Sequence, residues 1–302
     1  MREPKPGLEW QSKAILLIVV PWTAISVLLQ SYWWAREAPV VMWATLGISG
    51  VFGLVVWRLR AGTLGAAATG AAITASLMYS TTRFPYATSW LHGGLLPLLT
   101  VFLLTFAATK IGKAKKEQLG TAEDKSGRNA PQVAANLGIA ALAAFPLTTF
   151  ISGGVMRSSF EAITAFWSLT ALAEAAADTV SSEIGQVLGG EPRLITTLRR
   201  VEKGADGGIT LWGTLAGLLA ALIVAAVGFW AMRGGQNFLG YWVSICLCTS
   251  GGVFGLLFDS FLGATLERKR WLNNDAVNFL STLSAILFTL AVSAVFISSI
   301  HP

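Results

Sequence analysis

The stretch Glu174-Ala-Ala-Ala-Asp178-Thr179-Val-Ser-Ser182-Glu183-Ile-Gly185-Gln-Val-Leu-Gly189-Gly190 puts three carboxylates and a glycine pair at the end of a segment otherwise apolar enough to cross a bilayer. A charged carboxylate at mid-membrane costs roughly 2.5–3.5 kcal/mol on insertion scales. Acids retained at that cost generally bind something, so an intramembrane acid is read first as a functional site. Where this stretch lies relative to the bilayer decides what it does.

Its surroundings are membrane-like. The 302-residue chain is 54% hydrophobic and 13% charged, with a mean hydropathy of +0.61, against about 25% charged residues in soluble domains. A spanning helix needs about 20 mainly apolar residues. Nine such segments are expected, at 13–31, 40–57, 62–80, 92–110, 129–150, 160–178, 209–231, 239–262 and 275–299. Strand-type alternation with regular turns is missing, which argues against a barrel. The expected fold is therefore an all-α polytopic membrane protein. The run from Lys13 to Gln30 follows basic residues as a signal peptide would. However, Tyr32-Trp33-Trp34 follows it rather than a small-residue cleavage site, so it reads as a retained first helix with an interfacial aromatic belt.

The loops give an independent test, because Lys and Arg concentrate on the cytoplasmic side. With the N-terminus inside, the inner loops carry Arg2, Lys5, Lys13, Arg58, Arg60, Lys110, Lys113, Lys115, Lys116, Lys125, Arg128, Arg193, Arg199, Arg200, Lys203, Arg268, Lys269 and Arg270. The outer loops carry only Arg36, Arg83, Arg157 and Arg233. The expected topology is N-terminus cytoplasmic and C-terminus outside, in a bacterial-type inner membrane or its equivalent. Most inner lysines, Lys110 to Lys116 among them, need no further explanation.

Several function classes drop out. No basic run long enough to track nucleic acid is present. Cys246 and Cys248 sit two apart in an apolar helix and face different sides, which suits core packing rather than a disulfide or zinc. His92 and His301 read as incidental, so no transition-metal site is expected. No Walker-type phosphate loop occurs either.

On this topology the embedded acids gather at the cytoplasmic boundary. Glu174 and Asp178 end helix six, Asp259 lies near the inner end of helix eight, and Asp275 with Asn274 and Asn278 opens helix nine. Glu161 is expected to cap the outer start of helix six. Glu174, Asp178, Ser181 or Ser182, and Gly185 share one face if the helix continues that far. Two carboxylates at i,i+4 repel, which a divalent ion such as Mg²⁺ would relieve through hard oxygen ligands, as would protonation of one acid. At the same level Lys125-Ser-Gly-Arg128-Asn129-Ala-Pro131 leads into helix five, with Asn129 as N-cap and Pro131 in the first turn. A helix N-terminus flanked by Lys and Arg suits phosphate. Asn129, Gln132 and Asn136 then form a polar stripe running into the membrane. The loop from Gly189 to Gly208 adds glycines for close approach and Arg193, Arg199 and Arg200 for bidentate phosphate contacts.

Six motifs, in order, resemble one integral-membrane family. They are Arg128-Asn-Ala-Pro-Gln132 with Asn136, Asp178-Thr-x-x-Ser182-Glu183-Ile-Gly185, Pro192-Arg193-Leu-Ile-Thr-Thr, Gly204-x-Asp206-Gly-Gly-Ile-Thr, Phe258-Asp259-Ser-x-x-Gly263 and Asn274-Asp275-x-Val-Asn278. The family contains plant phytyl-phosphate kinase and animal transmembrane protein 19. The resemblance covers roughly residues 60–299, so 61–302 reads as the family core and 1–60 as an N-terminal two-helix membrane segment. It implies phosphorylation of an isoprenoid monophosphate to the diphosphate by a nucleoside triphosphate. The Asp178-to-Gly189 spacing also looks like the Asp-x-x-Ala-x-x-x-Gly-x-x-x-Gly motif of CTP-dependent polyprenol kinases, with serine in place of Ala, which makes CTP the expected nucleotide.

On that reading Asp178, Glu183 and Asp259 hold one or two Mg²⁺ ions and carry the chemistry. Lys125, Arg128, Asn129, Ser182, Gly189, Gly190, Arg193, Arg199, Arg200 and Asp206 bind the nucleotide and phosphates. Glu174, Gln132, Asn136, Asn274, Asp275 and Asn278 form the polar lining. The alternative is a transporter or scramblase using these polar stripes as a path; a transporter would carry its polar groups at the midplane.

Overall fold

The computed structural model of the chain describes residues 7–82, 93–144, 157–232 and 238–300. Among them a helix occupies each of the nine expected positions. These are α1 (Glu9–Glu37), α2 (Pro39–Arg58), α3 (Leu64–Ser80), α4 (Leu95–Lys110), α6 (Ala130–Ala144), α7 (Arg157–Leu188), α8 (Leu211–Ala231), α9 (Phe238–Leu262) and α10 (Asn274–Ile300). A short α5 (Lys113–Gln118) follows α4, and a π-helical turn (Gly263–Glu267) extends α9. Two-residue strands β1 (Arg193–Leu194) and β2 (Gly208–Ile209) pair antiparallel between α7 and α8. Five of the described helices are long and apolar enough to cross a membrane: α1, α2, α8, α9 with its π turn, and α10. α4 and α6 are apolar but shorter. The architecture is that of an all-α membrane protein. Arg2, Lys5, Arg83, His92, Arg233 and His301 lie outside the described residues, as do the side chains of Arg157 and Glu161.

The largest departure from expectation is α7. It was expected to end at residue 178 and instead runs on to Leu188. Apolar counting stops where the polar run after Asp178 begins, whereas the backbone continues and Glu183, in the extension, finds its partner Lys116 on α5. α7 is the hub of the bundle, packed against α4, α6, α8, α9 and α10. Its alanine-rich middle (Ala171, Ala173, Ala176, Ala177) is fully buried. On α8, a Cβ at Gly213 would lie 2.7 Å from Ser181 O, and one at Gly217 would lie 2.8 Å from Ala177 O. These small residues let the two backbones approach closely, as in other lipid-embedded helix pairs. Gly255 of α9 does the same for a side chain, since a Cβ there would meet Glu174 Cγ.

The N-terminal two-helix segment is built into this bundle. α1 packs on α3 and α6 through an inward stripe that is partly polar: Ser26 Oγ lies 3.0 Å from Ser76 Oγ, and Gln30 donates to Ser26. Trp34 is buried against Val41 and Tyr79 rather than lying in an interfacial belt, while Tyr32 is exposed. Cys248 is in the core and Cys246 is exposed. Outward faces carry Leu17, Leu28, Trp43, Leu211 and Val295 in the open, the surface a bilayer would cover.

The ends assigned to one side by the basic loops do lie together. Ser12 of α1 hydrogen-bonds Asp275 of α10 at 2.6 Å. Thr63 N, before α3, donates to Arg128 O, before α6. Lys116 of α5 meets Glu183 of α7, and the β2 approach meets the π turn through Gly207 and Ala264.

Candidate functional site

At this end a cavity of about 710 Å³ opens between the α5–α6 loop, α6, α7, the β1–β2 loop, α9 with its π turn, and the start of α10. Each wall has a local cause. Asn129 and Gln132 form a reciprocal capping box: Asn129 Oδ1 accepts from Gln132 N at 3.0 Å, and Gln132 Oε1 accepts from Asn129 N at 2.8 Å. The expected cap is therefore present, and it fixes where Arg128 leaves the backbone. Gly127 sits at φ +77°, and a Cβ there would lie 2.3 Å from the Ala61 carbonyl carbon, so the chain turns tightly under α3. Replacing Gly127 by Ala should cost more than about 1–2 kcal/mol, the usual penalty of a left-handed non-glycine residue, because steric overlap adds to it. Thermal unfolding in detergent would register this as a clear drop in midpoint.

Arg128 crosses the mouth of the cavity. Its Nη2 donates to Thr179 Oγ1 of α7 at 3.3 Å, and its Nε lies 3.5 Å from Glu123 Oε1. Burial pushes the Glu123 carboxyl above the usual carboxylate range, and the Arg128 guanidinium opposes that shift. On the opposite wall the extended α7 brings Asp178, Ser182 and Glu183 to the cavity. Asp259 and Glu267 enter from α9 and its π turn; the turn's extra residue per hydrogen bond re-aims the end of the helix. Gly207, at φ +73°, lies against Ala264 and seats the β1–β2 loop on this turn. That brings Lys203 and Asp206 to the same space.

A chain of amides supports the acids. With its amide nitrogen turned toward the acceptors, Asn278 donates to Asp259 Oδ2 at 3.2 Å and to Asn274 O at 3.1 Å, and accepts from Asn136 Nδ2 at 3.2 Å. Asp178, Asp259 and Glu174 are electrostatic neighbours. Glu174 lies one turn deeper on α7 and is fully buried. It accepts from Ser281 Oγ at 2.7 Å and Thr282 Oγ1 at 2.6 Å, as a buried carboxyl must if it is not to be left unsatisfied.

Most of the expected residues therefore meet at one cavity: Arg128, Asn129, Gln132, Asn136, Asp178, Ser182, Glu183, Asp206, Asp259, Asn274, Asp275 and Asn278 all line it. Others do not. Glu174 lies behind the wall. Gly189 packs on Thr210, with no room for a Cβ, and neither it nor Gly190 lines the cavity. Arg193, Arg199 and Arg200 are exposed outside it. Arg193 donates to Leu198 O, and Arg200 pairs with Glu191 on the surface. Lys125 lines an adjoining apolar groove.

Glu183, expected as a metal ligand, forms an ion pair with the fully buried Lys116 at 2.5 Å; Lys116 also donates to Ala108 O and Thr109 O. Among the described residues no three His, Cys, Asp or Glu side chains group closely enough to hold a metal. The expected trio is not assembled, because the ammonium has taken one of its members. Asp178 and Asp259 both line the cavity and offer it carboxylate oxygens.

Sequence reasoning passed over Lys116, counted only as a topological charge, and over Lys203 and Glu267. Glu267 was findable, since Asp259, Gly263 and Glu267 recur at intervals of four.

Comparison with known proteins places the chain. Residues 47–286 match the family described as "Integral membrane protein DUF92". An uncharacterized membrane protein of Methanocaldococcus jannaschii is 36% identical over 63% of this chain and 71% of its own length. "Protein VTE6, chloroplastic" of Arabidopsis thaliana is 33% identical over 62% of this chain and 55% of its own length. Protein PGR, also of Arabidopsis thaliana, is 31% identical over 66% of this chain and 81% of its own length. No solved structure matches. The chain belongs to the DUF92 integral-membrane family, the one whose motifs its sequence resembles.

Proposed function

We propose that this protein is a membrane prenyl-phosphate kinase, transferring a phosphoryl group from a nucleoside triphosphate, CTP by preference, to an isoprenoid monophosphate at the cytoplasmic face. The observation that carries the reading is the convergence of Asp178 and Asp259 with Arg128 and Lys203 on one cavity of about 710 Å³, within the range of small-molecule sites. The identity to chloroplastic VTE6 and the motif resemblance to phytyl-phosphate kinase support it.

Phosphoryl transfer asks the protein mainly for positioning and charge neutralisation. Asp178 and Asp259 would hold Mg²⁺, which when bound neutralises charge on the phosphate oxygens. Asn278 orients Asp259 by donating to it. Arg128, held between Glu123 and Thr179, directs its guanidinium to the cavity mouth, and Lys203 adds a second cation from the β1–β2 loop. An acceptor phosphate oxygen bonds to the donor's γ-phosphorus as the bond from that phosphorus to the β,γ-bridging oxygen breaks. Nucleoside diphosphate leaves with the electron pair. The acceptor oxygen is already anionic, so no catalytic base is required.

Arg128→Gln should weaken binding of CTP about 10- to 100-fold, the range for losing one charge-assisted contact. Equilibrium binding in detergent would measure it, and unchanged affinity would remove Arg128 from the site. A transport reading draws on a different observation, the fully buried Glu174 with Ser281 and Thr282 deeper in the bundle. Proteoliposomes showing ion- or lipid-coupled flux that Glu174→Gln stops would favour that reading over the kinase.

A further inference from the structure

The polar cavity shares an edge with a second one. A groove of about 350 Å³ is bordered by Glu123, Gly127, Arg128 and Asn136, which line the polar cavity as well. Away from that edge its walls turn apolar, with Phe52 of α2, Gly70 of α3, Val101 and Phe102 of α4, and Leu137 of α6. Along α4 it extends from Lys110 to Leu98, a depth of ~18 Å at the helical rise per residue. That is more than half of a hydrocarbon core about 30 Å thick. α2 packs on α1 and α3 and reaches α4 through the Phe52–Phe102 ring pair, edge to face at 5.3 Å. A side-chain ring pair thus bridges α2 and α4 at the groove. Its mouth carries Arg60, Lys110, Lys113 and Lys125 in addition to Arg128.

We infer that this groove seats the hydrocarbon tail of the acceptor lipid, which enters from the bilayer between α2 and α4 and leaves its phosphate at Arg128. The inference rests on the phosphoryl-transfer reading above and names the acceptor's subsite within it. The occupant follows from charge and polarity together. An apolar slot excludes a nucleotide, and the excess of cations over the carboxylates Glu123 and Asp124 at its mouth selects an amphiphile with an anionic head. Because the two cavities meet at Arg128, a phosphate anchored by its tail in the groove faces a donor in the polar cavity. A water-soluble donor and a membrane-bound acceptor thereby reach one point by separate routes.

Gly70 gives a direct test. A Cβ built there meets nothing within 4 Å, and leucine is a better helix former than glycine. Gly70→Leu should therefore fold and fill the groove, with an unfolding midpoint at or above that of wild type. In nanodiscs it should weaken binding of geranylgeranyl monophosphate at least tenfold more than binding of dimethylallyl monophosphate. A photoreactive geranylgeranyl phosphate should label α2 and α4 of the wild type. Equal losses for the two lipids, or labelling confined to other helices, would overturn the groove assignment while nucleotide binding still supports transfer. A wild type that binds neither lipid phosphate would overturn the transfer reading, and the groove with it.

Discussion

Asp178→Asn is expected to cut phosphoryl transfer sharply while leaving the protein at least as stable as wild type. Asp178 lines the cavity and has two carboxyl neighbours, Asp259 across the cavity and Glu174 one turn deeper on its own helix. Amide for carboxylate keeps the shape of the side chain and takes a carboxylate away from beside two other carboxyl groups. The unfolding midpoint in detergent should hold or rise, the usual signature of a site that trades stability for function. The kcat should fall at least about 10²-fold, the scale of removing one preorganised electrostatic group from the reacting phosphate. Asp259→Asn should behave alike, and the double variant should be little worse than either single one, because the two act as a unit. A purely structural Asp178 would give the reverse pattern, with a lowered midpoint and activity falling in proportion.

Lys116→Met should give the largest loss of stability, about 3–5 kcal/mol, because it leaves Glu183 without its buried counter-charge. The pair joins α5 to α7 with side-chain exposures of 1% and 14%, and the same ammonium satisfies two carbonyls at the end of α4. Its removal leaves three acceptors to find new donors. The double variant Lys116→Met/Glu183→Gln should recover most of the loss, since replacing both members of a buried pair is often near neutral. Denaturant unfolding of the purified protein would measure both. A Lys116→Met protein that unfolds with wild type would mean that the pair contributes nothing.

What could be read from the sequence depended on how far apart the interacting residues lie along the chain. Among the described residues apolar runs located the long helices, though not the short charged α5, because lipid imposes one composition on one length. Asn129 as the cap of α6 was also legible, its partner Gln132 lying only three positions on. The end of α7 was not. The turns beyond 178 carry Ser181, Ser182 and Glu183 and look like a polar loop until Lys116 and Thr109, from earlier in the chain, meet Glu183. Glu183 entered the expected metal trio with the motif resemblance; its partner Lys116 arrives from α5, 67 residues earlier in the chain. The arginines at 193, 199 and 200 fit a phosphate loop by composition, yet the β1–β2 pairing turns them outward and leaves Lys203 inside. Trp34 suited a membrane interface by position, whereas Val41 and Tyr79 bury it.

The proposed activity is tested most directly by following label from γ-phosphate-labelled CTP, and in parallel from the other nucleoside triphosphates, into geranylgeranyl or phytyl monophosphate with the purified protein in nanodiscs and Mg²⁺. Label should appear in the lipid diphosphate with at least one nucleotide and fall sharply in Asp178→Asn. The absence of labelled diphosphate from a folded wild-type protein with every nucleotide, or equal label in the Asp178→Asn variant, would contradict it.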